Sequence, residues 1–176
     1  MSPTPQAHYG FKQITAENWL EPDLPKTFPL LTSDVWVPEL LKPQLDEKVP
    51  KEIRSLFECA RAMYIYGYLF YPMITMAAEQ LHRVAEAAVA AKCKALALPA
   101  LKPARKGKRP QRFTFGNNIQ RLVTAGAIPA ADKNWWESTR NLRNLGSHPD
   151  FQAIAAPGIL LGSLKITIEH FNKLFA

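Results

Sequence analysis

The residues best suited to chemistry crowd into one stretch, residues 140–149, which reads RNLRNLGSHP. Four residues separate Arg143 from His148, and Asn144 lies between them. Arginine offers a planar, permanently charged fork that binds phosphate oxygens. Histidine titrates near neutrality and can therefore donate or accept a proton. These residue types predict chemistry on a phosphate ester, with the Asn144 amide orienting either the histidine or the substrate.

A helix must position these side chains, and helical geometry limits which of them can converge. At about 100° per residue, Asn144 and His148 face the same way, whereas Arg143 points about 140° away from His148. Arg140 lies about 80° from His148 and is a second candidate phosphate contact. Convergence of Arg143 and His148 therefore needs a loosened last turn, an arginine that reaches round the helix, or a second protomer.

The position of His148 also has a purely structural interpretation. The helix must end near His148, because a residue before proline avoids the helical region. The negative end of the helix dipole would favour the protonated imidazole, which suits a general acid. Alternatively, Asn144 and His148 merely cap backbone carbonyls at this terminus.

The stretch resembles the signature of the HEPN superfamily, in which an Arg is followed by a polar residue, usually Asn, and a few residues later by a His. Arg143, Asn144 and His148 fill these positions. The resemblance covers about residues 51–176, and Glu79 is similar to an acidic residue often found in an earlier helix of such domains. It implies an all-α fold, a HEPN-like antiparallel four-helix bundle. It also implies a homodimer in which the motifs meet across the interface.

HEPN domains include metal-independent endoribonucleases and inactive relatives that bind RNA or form dimers, so the resemblance leaves activity open. Metal-free RNA cleavage requires deprotonation of the 2′-hydroxyl, stabilisation of the phosphorane charge and protonation of the leaving 5′-oxygen. Arg143 and His148 could divide this work and leave a 2′,3′-cyclic phosphate. By resemblance alone, the expected setting is a bacterial defence or toxin system with an antitoxin or other protein partner. The competing hypothesis is a non-catalytic helical interaction or dimerisation module.

A basic loop supplies candidate substrate contacts away from the motif. The chain carries 22 Lys and Arg against 15 Asp and Glu, a formal net charge of +7, which favours polyanionic partners such as RNA. Residues 99–112 read PALKPARKGKRPQR, and we expect Lys106, Lys108 and Arg109 to attract phosphates independently of base sequence. A solubilising link is the alternative.

The first fifty residues differ from the rest of the chain. They hold eight of the fifteen prolines, spaced so that no helix longer than about two turns fits. Large apolar residues lie among these prolines, which predicts an extended arm that packs on the domain or on a partner. Residues 51–176 form the predicted helical domain.

Apolar residues recur at spacings of three and four through residues 51–98, which predicts a long helical region that Pro72 kinks or splits. Its alanine-rich second half is typical of a surface-facing helix. A helix over residues 115–125 should stop at Gly126, another should run from about Pro129 to His148, and an apolar helix should close the chain. The sequence thus predicts an all-α bundle.

Cofactors and membranes are not expected. Cys59 and Cys93 lack a CxxC partner, so we expect buried thiols in a reducing cytoplasm and neither a zinc site nor a disulfide framework. His82 and Glu86 are one helical turn apart, which is more typical of a surface pair than of metal ligands.

Residues 62–78 carry one charge-free run, but its tyrosines lie in the middle, which favours a buried core helix over a membrane span. No secretory signal is evident.

Overall fold

The computed structural model describes residues 12–103, 109–146 and 157–176. Within these ranges the regular structure is helical, and the only β-type pairing there is a single antiparallel bridge between Leu101 and Arg112. The prediction of an all-α protein is confirmed. The α-helices of the described residues are α1 (Leu24–Thr27), α2 (Ser33–Leu41), α3 (Lys51–Tyr66), α4 (Pro72–Ala95), α5 (Phe115–Thr124), α6 (Lys133–Leu145) and α7 (Pro157–Phe175).

Helix α4 lies at the centre of the fold and contacts α3, α5, α6 and α7. Its buried face alternates small and branched side chains, which lets neighbouring helices approach closely while the longer residues fill the space between them. The prediction that its alanine-rich second half faces the surface is therefore wrong, because Ala77, Ala85 and Ala88 are buried against neighbouring helices. The buried residues of α4 are Ile74, Ala77, Leu81, Val84, Ala85, Ala88, Val89 and Cys93.

Pro72 separates α3 from α4, as the sequence predicted. Helix α3 ends at Tyr66, and Pro72 is the first residue of α4, where its missing N–H costs no intrahelical hydrogen bond. The Asp23 carboxylate accepts the backbone N–H of Tyr71 at 2.9 Å, just before α4 begins. Across the described ranges, no helix is both long enough and apolar enough to cross a membrane.

Helices α5 and α6 contact each other as well as α4. A capping box fixes the start of α5, because the Thr114 hydroxyl accepts the Asn117 backbone N–H while the Asn117 side chain accepts from the Thr114 backbone. The chain leaves α5 through Gly126, whose φ of +73° lies in the left-handed region that favours glycine. One 3₁₀ turn, Ala130–Asp132, then leads directly into α6.

The described part of the N-terminal arm, residues 12–50, packs on the helical domain. Trp36 is completely buried, and its indole N–H donates to the Tyr64 carbonyl of α3 at 3.0 Å. The stretch expected to be extended also contains α1 and the nine-residue α2. Pro38 is accommodated inside α2 because it removes only one backbone donor, and burial of Trp36 and Leu40 offsets that loss.

Replacing Trp36 tests whether the arm belongs to the core. Trp36→Ala should lower the free energy of unfolding by about 3–5 kcal/mol, because it leaves a cavity and an unsatisfied carbonyl. Trp19, which is 56% exposed, provides a matched control, and Trp19→Ala should change stability by less than about 0.5 kcal/mol. Urea unfolding followed by circular dichroism measures both. Equal urea midpoints for Trp36→Ala and Trp19→Ala would contradict the packing of the arm on the helical domain.

Candidate functional site

Helix α6 presents three of the predicted residues to one cleft. Arg140, Arg143 and Asn144 share a face of α6 because they are three and four residues apart. Together with residues of α4 and the start of α5, they line a space of about 440 Å³. Asn144 is exposed, and both arginines are partly exposed. The three side chains are therefore accessible to a ligand from the same side.

The start of α5 forms the opposite wall of this cleft. Thr114, Phe115 and Gly116 line it there, at the positive end of the α5 dipole. A Cβ atom on Gly116 would lie 3.0 Å from Nη1 and 3.1 Å from Cδ of Arg140. Gly116 thus allows the Arg140 side chain to lie directly against the helix start. This part of the site was not predicted, although the Thr114 and Asn117 capping pattern marks the helix terminus in the sequence.

Glu86 of α4 provides the third wall and pairs with Arg143. The Arg143 Nε–H donates to Glu86 Oε2 at 2.9 Å, and both side chains are about one-third exposed. The expectation of an ordinary surface pair between Glu86 and His82 missed this contact. The partner of Glu86 lies 57 residues away in sequence, so helical spacing alone gave no signal of it.

Arg140 is also held by residues of its own helix. Its Nε lies 2.9 Å from Glu137 Oε2, and its Nη2 donates to Asn141 Oδ1 at 3.0 Å. These contacts partly balance the charge of Arg140 and hold its guanidinium beside the cleft. Both arginines of the candidate site are thus positioned in advance, each with a carboxylate nearby.

Glu79 lies beside the last turn of α6. A Cβ atom on Gly146 would lie 3.3 Å from Glu79 Cγ, so the absence of a side chain there permits the approach. Glu79, Arg83, Arg143 and Gly146 border a second, very small space. Glu79 and Glu86 are seven residues apart on α4 and therefore share a face. Arg143 borders both the large cleft, where Glu86 lies, and this small space, where Glu79 lies.

The remaining predicted site residues divide into two groups. His148, Lys106 and Lys108 lie outside the described residues. Arg109 is described and exposed, but it is not among the residues that line the cleft. The cleft therefore brings together Arg140, Arg143 and Asn144, whereas Arg109 lies outside its lining.

No group of three or more His, Cys, Asp or Glu side chains that could hold a metal ion occurs within the described ranges. Burial lowers the pKa of His82 below its usual value, and its Nδ1 makes no hydrogen bond there.

Cys93 is buried as predicted, but Cys59 is exposed on α3, so the prediction of two buried thiols is wrong for Cys59. Its position on the outer face of α3 explains the difference.

These features define an all-helical protein with an arginine-lined cleft between α4, α5 and α6. Residues 72–175, more than half of the chain, match the family model described as a domain of unknown function, DUF4145. The chain belongs to that family, and the match begins at Pro72, the first residue of α4. No curated protein and no solved structure matches the chain significantly.

A double-mutant cycle tests the ion pair that joins α4 to α6. The variants Glu86→Gln, Arg143→Met and their combination should give a coupling energy of about 0.5–1 kcal/mol in urea unfolding, as expected for a partly exposed pair. Glu39→Gln is the control, since the Glu39 carboxylate pairs with Lys165 at 2.9 Å. It should show no coupling with Arg143→Met. Coupling within error of zero between Glu86 and Arg143 would contradict a stabilising contribution from this contact.

Proposed function

We propose that this protein is a HEPN-type, metal-independent endoribonuclease that binds one phosphodiester of its RNA substrate in the cleft of α6. The observation that carries the proposal is that Arg140, Arg143 and Asn144 line a single cleft against the start of α5. Two guanidinium groups, an amide and a positive helix end suit a phosphate better than a neutral or cationic ligand.

A HEPN-like antiparallel four-helix bundle, formed by α4, α5, α6 and α7, is part of the same proposal. Its support is that α4 contacts the other three helices and that α5 contacts α6. The family match spans the same four helices. In such a bundle, the end of α6 and the start of α5 lie at the edge of the core, which leaves their polar side chains open to a ligand.

The proposed reaction uses the substrate's own 2′-hydroxyl as nucleophile. This hydroxyl loses its proton to water and attacks phosphorus, while Arg140 and Arg143 stabilise the charge on the phosphorane oxygens. His148 then gives a proton to the 5′-oxygen as the P–O5′ bond breaks. The products are a 2′,3′-cyclic phosphate and a 5′-hydroxyl. Asn144 orients His148 or a phosphate oxygen through its amide.

Glu86 has a defined place in this proposal. Through its pair with Arg143 it holds the guanidinium at the cleft before substrate arrives, which lowers the entropy cost of binding. A phosphate must then share or replace that carboxylate contact. Glu86 is accordingly a positioning residue that acts through Arg143.

The cellular setting is proposed from the resemblance alone. A homodimer would bring two motifs together and relieve the angular divergence of Arg143 and His148 on one ideal helix. A cytoplasmic bacterial defence or toxin system, with an antitoxin or another protein partner, would provide the RNA target and the control of activity. Activity against RNA in a purified sample is independent of this setting and can be tested first.

The test is incubation of the purified full chain with mixed RNA in EDTA, followed by an assay for 2′,3′-cyclic phosphate ends. His148→Ala and Arg143→Ala should each reduce cleavage by roughly a hundredfold or more, because each removes a proton donor or a charge-stabilising group. His8→Ala, a histidine change outside the motif, is the control and should leave cleavage unchanged. Melting temperatures of all variants separate loss of chemistry from loss of folding. Absence of cleavage by the wild type would rule out the nuclease proposal.

A second candidate function is a non-catalytic dimerisation or protein-interaction module. The observation that favours it is that Leu142 and Leu145, beside the motif on α6, are 50% and 41% exposed. Exposed leucines on one helix suit a contact with another protein surface. In this reading, the pairing of Arg143 with Glu86 holds the end of α6 in place for that contact.

Charge substitution on α6 tests this surface. The double variant Leu142→Lys and Leu145→Lys should convert a dimer to a monomer in sedimentation equilibrium, because burial of two lysines is unfavourable. Leu30→Lys is the matched control, since Leu30 is 90% exposed on the N-terminal arm. Leu30→Lys should not change the molecular mass measured by sedimentation equilibrium. A wild type that is monomeric at all concentrations tested would exclude a homodimer through this face.

A further inference from the structure

The entire excess of positive charge in this chain lies in one continuous segment. Residues 87–131 contain nine Lys and Arg and not one Asp or Glu, whereas the rest of the chain contains 13 basic and 15 acidic residues. The segment comprises the end of α4, the connection to α5, and α5 itself. A segment with this many basic residues and no acidic ones favours a polyanionic partner.

Arg121, on α5, is a cation of this segment that several neutral groups hold in place. Its guanidinium carbon lies 3.9 Å from the centre of the Phe113 ring. Its Nη2 donates to the Pro99 carbonyl at 2.8 Å, and its Nη1 donates to Asn118 Oδ1 at 2.9 Å. All these partners are neutral, so they fix the side chain without cancelling its charge.

Lys102 and Arg112 lie next to this group. The bridge between Leu101 and Arg112 joins the two ends of the basic loop, and the Lys102 backbone N–H donates to the Gln111 carbonyl at 2.8 Å. The Lys102 ammonium lies 5.9 Å from the centre of the Phe113 ring. Within the described ranges, no carboxylate pairs with Lys102, Arg112 or Arg121, in contrast to the cleft arginines.

The same segment continues directly into the cleft. Arg112 and Phe113 are followed by Thr114, Phe115 and Gly116, which form the cleft wall opposite α6. Two residues span at most about 7 Å, so the backbone at Arg112 lies within that distance of the cleft wall at Thr114. A bound strand could therefore contact both places without a large gap.

We propose that Lys102, Arg112, Phe113 and Arg121 form a basic track that binds the single-stranded RNA flanking the phosphodiester in the cleft. This inference rests on the proposed function for the identity of the polyanion. Single-stranded RNA is favoured because attack by the 2′-hydroxyl needs an in-line geometry that the A-form duplex does not allow. Lys102 and Arg112 contact phosphates, and Phe113 positions Arg121.

The first experiment measures binding without cleavage. A fluorescein-labelled, fully 2′-O-methylated uridine 12-mer cannot be cleaved through its 2′-oxygen and does not pair with itself. The double variant Lys102→Gln and Arg112→Gln should weaken its binding about tenfold in fluorescence anisotropy. The variant should also reduce the slope of log affinity against log salt by about 1.4, since each lost single-strand phosphate contact contributes about 0.7. The charge-matched control Lys42→Gln and Lys48→Gln, in the N-terminal arm, should bind like the wild type.

The second experiment measures cleavage of the unmodified 12-mer by the same proteins. The track variant should raise KM and leave kcat nearly unchanged, because track residues do not touch the reacting phosphate. If the wild type cleaves nothing but binding still depends on Lys102 and Arg112, the proposed function fails and the track stands. If cleavage occurs and neither binding nor KM changes in the track variant, the track is wrong and the proposed function stands.

Two further outcomes would overturn the track. One is an equal loss of binding in the Lys42 and Lys48 control, which would show that only net charge matters. The other is equal competition by poly-glutamate at matched charge concentration, which would point to an acidic protein partner instead of RNA. Circular dichroism melting of both double variants should match the wild type, because all four substituted side chains lie outside the buried core.

Discussion

The close packing of α4 is the constraint on which the rest of the structure depends. Its buried face carries Ala77, Ala85 and Ala88 among larger apolar residues, and helices α3, α5, α6 and α7 all contact it. When a helix packs against neighbours on several sides, its polar side chains are confined to the narrow part of its surface that stays uncovered. On α4, Glu79 and Glu86 lie on such a strip, which faces the end of α6. The position of the candidate site thus follows from the packing of the core.

The ion pair between Glu86 and Arg143 connects the packed helix α4 to the cleft. Arg143 Nε and Glu86 Oε2 lie 2.9 Å apart, so the pair links α4 to α6. Arg143 also borders the small space beside Glu79. A partly exposed pair adds little to overall stability. Its larger effect is to reduce the conformations open to an arginine side chain, which would otherwise lose much of its freedom on binding a ligand.

The sequence predicted those features that local rules determine. Pro72 marked the start of α4, Gly126 followed the end of α5, and helical spacing placed Arg140 on the same side of α6 as Asn144. Features that depend on tertiary contacts were not predictable in this way. Alanine enrichment in α4 is compatible with a surface helix and with a closely packed central helix, and the pairing of Glu86 with Arg143 spans 57 residues. The large apolar residues of the proline-rich segment indicated that the arm packs on the domain or on a partner, but they gave no signal that α2 would form or that Trp36 would contact α3.

The distribution of charge differs between the cleft and the segment that leads to it. At the cleft, each arginine has a glutamate within 2.9 Å, so its charge is held in position but partly balanced. Along residues 99–121, Arg121 and Lys102 contact neutral partners, and none of the described cations pairs with a carboxylate. Unbalanced cations give long-range attraction that salt weakens, whereas balanced and oriented ones give a defined geometry at short range. The proposed ligand, a flexible polyanion with one phosphate held in a fixed orientation, would use both kinds of interaction.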